Sequence, residues 1–125
     1  MGASAQSTKL LVTDLMASKQ TANMNVESIH YQPANVKSAN QRNSGTVNMI
    51  YIVEKRMDGR SAKIEDAARR GRVFGSMEIW MKNHSGQIVK YKLNNAYFLN
   101  YKAMYVNGKP PMEEFAVIYQ SRTKI

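Results

Sequence analysis

Two histidines, His30 and His84, are the side chains of this chain that could titrate near neutrality, and neither stands in a spacing that does chemistry. His30 falls in a stretch that reads as strand and His84 in a turn, so both read as surface or hydrogen-bonded imidazoles. There is no cysteine, which excludes disulfides and thiolate metal ligands, and no H-E-x-x-H or other close His/carboxylate spacing that would hold a transition metal. A nucleophilic serine would need a G-x-S-x-G elbow, and a phosphate cradle would need G-x-G-x-x-G or G-x-x-x-x-G-K-[ST]; none occurs. Glu113 and Glu114 are adjacent on a predicted strand, so they point to opposite faces and cannot share acid–base work. Asn83-His84-Ser85 matches a glycosylation acceptor, a pattern frequent by chance. The residues therefore predict no catalytic site, no cofactor and no metal, and the chain reads as a protein that is not an enzyme.

One constellation could bind rather than react. Lys90, Lys92 and Lys102 interleave with Tyr91, Tyr97, Tyr101 and Tyr105, and stacked aromatics beside lysines are how barrel-type proteins hold single-stranded nucleic acid. Strand alternation sets Lys90 and Lys92 opposite Tyr91, and Lys102 opposite Tyr97, Tyr101 and Tyr105. Rings and charges then do not share a face, which favours tyrosines that pack and lysines turned to solvent. The net charge of +9, from 18 basic and 9 acidic residues, fits a solvated surface or a partner surface, protein or polyanion.

The elements carrying these residues are mostly strands. Residues 8–16 are a short apolar stretch, followed by a polar break at 17–23. Residues 24–32 form the next strand, with Ile29 and Tyr31 on one face and Val26 on the other. Residues 46–54 (TVNMIYIVE) are apolar almost throughout, which predicts a strand covered on both faces. In 75–83, Met77, Ile79 and Met81 alternate with Glu78, Trp80 and Lys82. Strands at 87–93, 96–106 and 112–123 follow, with short turns at 83–86 and 107–111. One helix is predicted over 61–71, where Ile64, Ala67 and Ala68 make a narrow apolar stripe. Glu65–Arg69 and Asp66–Arg70 are i,i+4 pairs, with Ser61 and Gly71 as caps.

Residues 32–45 (QPANVKSANQRNSG) form a long, small and polar connection between two strong strands. Such a length reads either as a mobile solvated loop or as an arm that orders against a neighbouring subunit. The 125 residues suffice for one domain with a real core, and 11 aromatic residues with 43% apolar content exclude disorder. No apolar run approaches a membrane span, so no membrane insertion is expected, and residues 1–25 contain no signal-peptide core.

The order from residue 24 onward is strand, polar arm, apolar strand, short helix and hairpins. It resembles the tube-forming Hcp (TssD) proteins of bacterial type VI secretion systems, which are related to the tail-tube proteins of contractile phages and extracellular injection systems. The resemblance rests on Met77–Lys82 leading to Asn83-His84-Ser85, then Lys92-Leu93, Ala96-Tyr97-Phe98-Leu99, Tyr101-Lys102 and Pro111-Met112-Glu113-Glu114-Phe115-Ala116-Val117. These are similar to that family's K-x-x-S…K-x-L…A-Y-L-x-x-Y-K…P-M-x-E-x-F-x-I run. It implies a mainly β fold, a flattened β-barrel or two-sheet sandwich of six to eight strands with one short helix on its side, as a single domain over 1–125 with 1–7 as an extension. It implies hexameric rings stacked into a tube, with sheath, spike and baseplate proteins and protein effectors as partners. Nucleic acid is disfavoured as cargo, because a basic channel would retard a polyanion. Assembly would start in the bacterial cytoplasm, with export on firing and no cleaved signal peptide. On this reading the inter-subunit arm uses Gln32, Pro33, Asn35, Val36, Lys37, Asn40, Arg42 and Asn43. The helix turns Lys63, Arg69, Arg70 and Arg72 toward a sheath, and the strands bearing Tyr97, Leu99, Tyr101, Phe115, Val117 and Tyr119 close the ring. A phage or extracellular contractile tail tube, and a basic β-barrel binder of single-stranded nucleic acid, are the alternatives.

Overall fold

The computed structural model describes residues 8–34 and 48–125. They form β1 (Lys9–Thr13), β2 (Thr21–Asn25), β3 (Ser28–Ala34), β4 (Asn48–Arg56), α1 (Ser61–Arg70), β5 (Phe74–Lys82), β6 (Ile88–Met104), β7 (Met112–Ile118) and β8 (Ser121–Lys124). All ladders are antiparallel, and the path runs β2-β1-β5-β6-β7-β4-β3, with β8 pairing beside it on β6. The path folds into two layers. One holds β2, β1, β5, β8 and the first half of β6; the other holds β3, β4, β7 and the second half of β6. Among the described residues no ladder joins the two ends of the path, so the sheet is a sandwich rather than a closed barrel.

Two stretches of chain serve both layers. β6 pairs with β5 through residue 96 and with β7 from Tyr97 onward. β2 and β3 are separated only by Val26 and Glu27, whose amides continue the ladders on either side, to Thr8 O at 3.1 Å and Glu54 O at 2.8 Å. The expected single strand over 24–32 is thus broken at a corner. The corner also reverses the alternation: Ala22 and Met24 point inward before it and Ile29 after it, and Val26 is buried rather than turned outward. Thr21, Ala22 and Asn23, read as part of a polar break, pair with Thr13, Val12 and Leu11, because one apolar residue between polar ones satisfies an edge strand with a single inward face.

The core lies between the layers. Leu10 and Val12 of β1, Met77 and Ile79 of β5, Leu93 and Phe98 of β6, Tyr51 and Val53 of β4, and Phe115 and Val117 of β7 are almost fully buried. Phe98 sits between Phe74 (5.5 Å between ring centroids, tilted) and Phe115 (5.0 Å, edge-on), and burial of each ring contributes roughly 2–3 kcal/mol. Helix α1 adds Ile64 and Ala67 to this core and stops at Gly71, whose φ of 64° only glycine adopts cheaply.

The two strands expected at 87–93 and 96–106 are one strand of 17 residues. Asn95 and Asn100 take φ of 52° and 57° within it, and asparagine tolerates this left-handed conformation better than most residues. The register shifts between Leu99 and Lys102, so Tyr97 and Leu99 face outward whereas Tyr101 packs on the core. Tyr97 and Tyr101 therefore lie on opposite faces, contrary to simple alternation, and Tyr97 shares its face with Lys102. The strand expected over 112–123 divides into β7 and β8 at Tyr119–Gln120, with Gln120 N bonded to Asn94 O at 3.0 Å.

Candidate assembly surfaces

A largely buried polar cluster fixes α1 on the sandwich. Lys55 of β4 and Glu113 of β7 are ladder partners, both completely buried, with Nζ 2.5 Å from Oε2. Lys55 also donates to Arg56 O at 2.9 Å and lies 3.3 Å from the Asp58 carboxylate. Glu113 accepts from Ser61 Oγ at 2.8 Å and from Tyr101 OH at 2.7 Å. Ser61 does not cap α1 as its position suggests. The N-cap is Arg60, and Ser61 Oγ instead accepts from Asp58 N at 2.9 Å while donating to Glu113. Burial, then the hydrogen bond and charge of Glu113, hold the Tyr101 hydroxyl well above the usual tyrosine range. No buried side-chain polar atom among the described residues lacks a partner, so the cluster is a structural clasp joining β4, β6, β7 and the start of α1.

The clasp leaves the opposite side of α1 in solvent. Lys63, Arg69, Arg70 and Arg72 are all exposed there. Arg69 pairs with Glu65 at 3.4 Å and Arg70 with Asp66 at 3.0 Å, as the spacing predicts. Arg72 donates to Asp14 O at 2.7 Å and lies over the Phe74 ring, 4.5 Å from its centroid. Two acids against four bases leave this face positive.

The outer faces of the two layers differ in kind. On the β3-β4-β7 layer, Ile50 and Ile52 of β4, Ala116 and Ile118 of β7, and Tyr97 and Leu99 of β6 form a second apolar cluster, separate from the core. The row Glu54–Glu114–Lys102 borders it. The reading of 46–54 as covered on both faces matches this: Tyr51, Val53 and Lys55 go inward, Ile50 and Ile52 outward. On the other layer the outer face is polar. Lys9 donates to Asn25 and, more weakly, Asn23, Trp80 donates to Glu78 at 3.0 Å, and Lys90 Nζ sits 4.0 Å from the Trp80 ring centroid.

The expected site residues separate accordingly. Tyr97 and Leu99 lie on the outer apolar cluster, whereas Tyr101, Phe115, Val117 and Tyr119 face the core. β7 is paired along both edges, while β2, β3 and residues 97–104 of β6 are paired along one among the described residues. Gln32 and Pro33, expected in the arm, belong to β3 and pair with Ile50 and Met49; an edge strand is where a sheet tolerates proline. Asn35, Val36, Lys37, Asn40, Arg42 and Asn43 lie outside the described residues, as do residues 1–7. Among the described residues no group of His, Asp and Glu is placed to hold a metal ion, and no helix is long and apolar enough to cross a membrane. The sequence missed the clasp, since Lys55 and Glu113 look like surface charges. The one available signal is Lys55 at an inward position of an otherwise apolar strand.

The overall fold recurs in solved structures. Hcp1 from Flavobacterium johnsoniae superposes with a TM-score of 0.65 over 94% of this chain and 94% of that one, at 16% identity. The chain has the fold of the type VI secretion tube proteins. A structure described as a type six secretion system protein matches this tube fold with a TM-score of 0.68 over 94% of this chain and 82% of that one, at 20% identity. A component of the anti-feeding prophage baseplate shares it with a TM-score of 0.56, covering 94% and 90% at 9% identity. No family model and no curated protein matches the sequence.

Proposed function

We propose that the chain is the subunit of the inner tube of a type VI secretion apparatus, forming hexameric rings that stack and are driven outward by sheath contraction. The supporting observation is the correspondence of 94% of the chain, at close to full length on both sides, with Hcp1 from F. johnsoniae. Ile52, Tyr97 and Leu99 are half-buried and leave apolar surface that an assembly would cover, beside Ile50, Ala116 and Ile118, which are already buried. Ring closure falls to that face and to the half-paired edge of β6, with Phe115 and Val117 holding the strands from inside. The arm residues Asn35, Val36, Lys37, Asn40, Arg42 and Asn43 reach between rings, continuing from Gln32 and Pro33. The exposed face of α1 meets the sheath, spike and baseplate proteins cap the tube, and protein effectors travel in it. The role is mechanical and non-enzymatic, and export follows firing.

Negative-stain images of the purified protein at high concentration test this directly. Annuli or rods with a central hole are expected; a monodisperse single copy under all conditions would overturn the reading. The prophage baseplate likeness favours one second reading, the same subunit in a phage or extracellular contractile device. Rings that assemble on an extracellular-type baseplate but not with type VI sheath would favour it.

A further inference from the structure

Arg122 is an exposed arginine that leaves its strand on the side facing the opposite layer and has no acid to meet it. It lies on β8 opposite the buried Leu93, so its side chain crosses the open edge between the layers. There its guanidinium is held between two rings, 4.5 Å from the centroid of Tyr31 and 4.2 Å from that of Tyr91, and Nη1 donates to Tyr51 OH at 2.9 Å. The cage is itself braced: Tyr31 packs at a tilt against Tyr51, 4.7 Å between ring centroids, and shares a 3.0 Å hydroxyl hydrogen bond with Tyr119. An inward charge on an edge strand also discourages strand addition. That accounts for a charge at this place, but not for a guanidinium oriented by three tyrosines beside a cavity.

The cavity measures about 180 Å³ and opens beside Arg122, with Met81, Val89, Tyr31 and Tyr91 among its walls and Lys82 at its margin. An apolar cavity of roughly this volume accepts a benzene-sized group. All nine acidic residues of the chain fall among the described residues, and none forms an ion pair with Arg122. The guanidinium thus keeps its charge uncompensated and donors beyond Nη1 to offer. It is restrained in a plane suited to two parallel hydrogen bonds with a carboxylate.

The geometry points to a binding site for a carboxylate attached to one ring-sized apolar group, the acid on Arg122 and the apolar body in the Met81–Val89–Tyr91 cavity. Two sources carry that chemistry, a free organic acid and the C-terminal aromatic residue of a peptide.

The test is a titration of the full chain, followed by methyl signals of Met81 and Val89 and by calorimetry. The probes are 3-phenylpropionate, its amide, acetate, and a tetrapeptide ending in phenylalanine with a free or an amidated C-terminus. 3-Phenylpropionate should shift those methyls, with the amide and acetate each at least about tenfold weaker, since each lacks one half of the recognition. Arg122→Gln should lose about tenfold in affinity for the acid and erase its advantage over the amide, while Arg122→Lys should keep part of it. Val89→Phe fills the cavity while keeping Arg122 and its three tyrosines, and should abolish binding, which keeps the test decisive if Arg122→Gln unfolds. Free-acid peptide binding at least as tight as 3-phenylpropionate assigns the site to polypeptides; binding of the small acid alone assigns it to free organic acids. Equal binding of acid and amide, shifts elsewhere than this cavity, or no binding at 10 mM would each overturn the assignment.

Discussion

Removing Glu113 from the clasp should be costly, and removing both charges should not. Glu113→Leu deprives a fully buried Lys55 of its nearest anion, 2.5 Å away, and deprives Ser61 and Tyr101 of their acceptor. Breaking a buried pair from one side costs about 3–5 kcal/mol. Lys55 keeps Arg56 O and, at 3.3 Å, a partly solvated Asp58, which places the expected loss at the lower end, about 3 kcal/mol. With an unfolding entropy of roughly 2.1 cal/mol/K per residue, the 125 residues give about 0.26 kcal/mol/K, so Tm should fall by about 11 °C. Lys55→Met should lose a similar amount by stranding the carboxylate. The double variant places apolar groups in both positions and should lie within about 2 kcal/mol of the parent, not the ~6 of simple addition. Urea unfolding followed by the single Trp80 measures all four states. Hydrogen exchange in the Glu113→Leu protein should show α1 opening before the sheets. Additive losses, or a Glu113→Leu cost below about 1 kcal/mol, would refute the clasp.

Further outcomes are expected. Tyr51, Tyr101 and Tyr119 all have raised hydroxyl pKa values, chiefly through burial, so folding favours their protonated forms. Their contribution is complete below pH 10, the unfolded value, and is lost as pH rises above it, by up to about 1.4 kcal/mol per pH unit for each tyrosine. Stability at pH 9–11.5, with tyrosinate absorbance at 295 nm, should show these three ionising only as the fold is lost. Leu99→Asp should change monomer stability by no more than about 2 kcal/mol, because Leu99 is only half-buried on the outer face, yet abolish annuli in electron micrographs. Gly71→Ala forces an alanine into φ of 64° and should cost about 1–2 kcal/mol, read as a Tm loss of roughly 4–8 °C. Reversing Lys63, Arg69, Arg70 and Arg72 to glutamate should weaken co-sedimentation with sheath while rings persist; loss of the rings themselves would refute the outward placement of α1.

Local patterns made several elements legible in advance. The alternation of Met77, Ile79 and Met81 with Glu78, Trp80 and Lys82 gave β5 and its faces. The Ile64/Ala67 stripe and its two ion pairs gave α1, and Gly86 and Gly108 in left-handed turns ended the hairpins where expected. What escaped was set by the meeting of distant strands. Nothing in Val26–Glu27 signals a corner, since its cause is the divergence of the two layers. Asn100 reverses the facing of β6 through one backbone angle that asparagine permits but does not require. Lys55, Glu113 and Arg122 carry the same charges as the solvated residues around them, and only their ladder partners reveal which way they point.

β6 has a mechanical corollary. A sandwich whose layers touch only through side chains can yield by one layer slipping over the other, since dispersion contacts are weak singly and easily exchanged. Here 17 residues of one strand are stitched to β5 at one end and to β7 at the other. A force entering through either layer is therefore carried into its companion along peptide bonds, and slippage would have to tear two ladders at once. Stiffness of that origin does not depend on how well the interior is packed, and so it should survive core substitutions that lower the melting temperature.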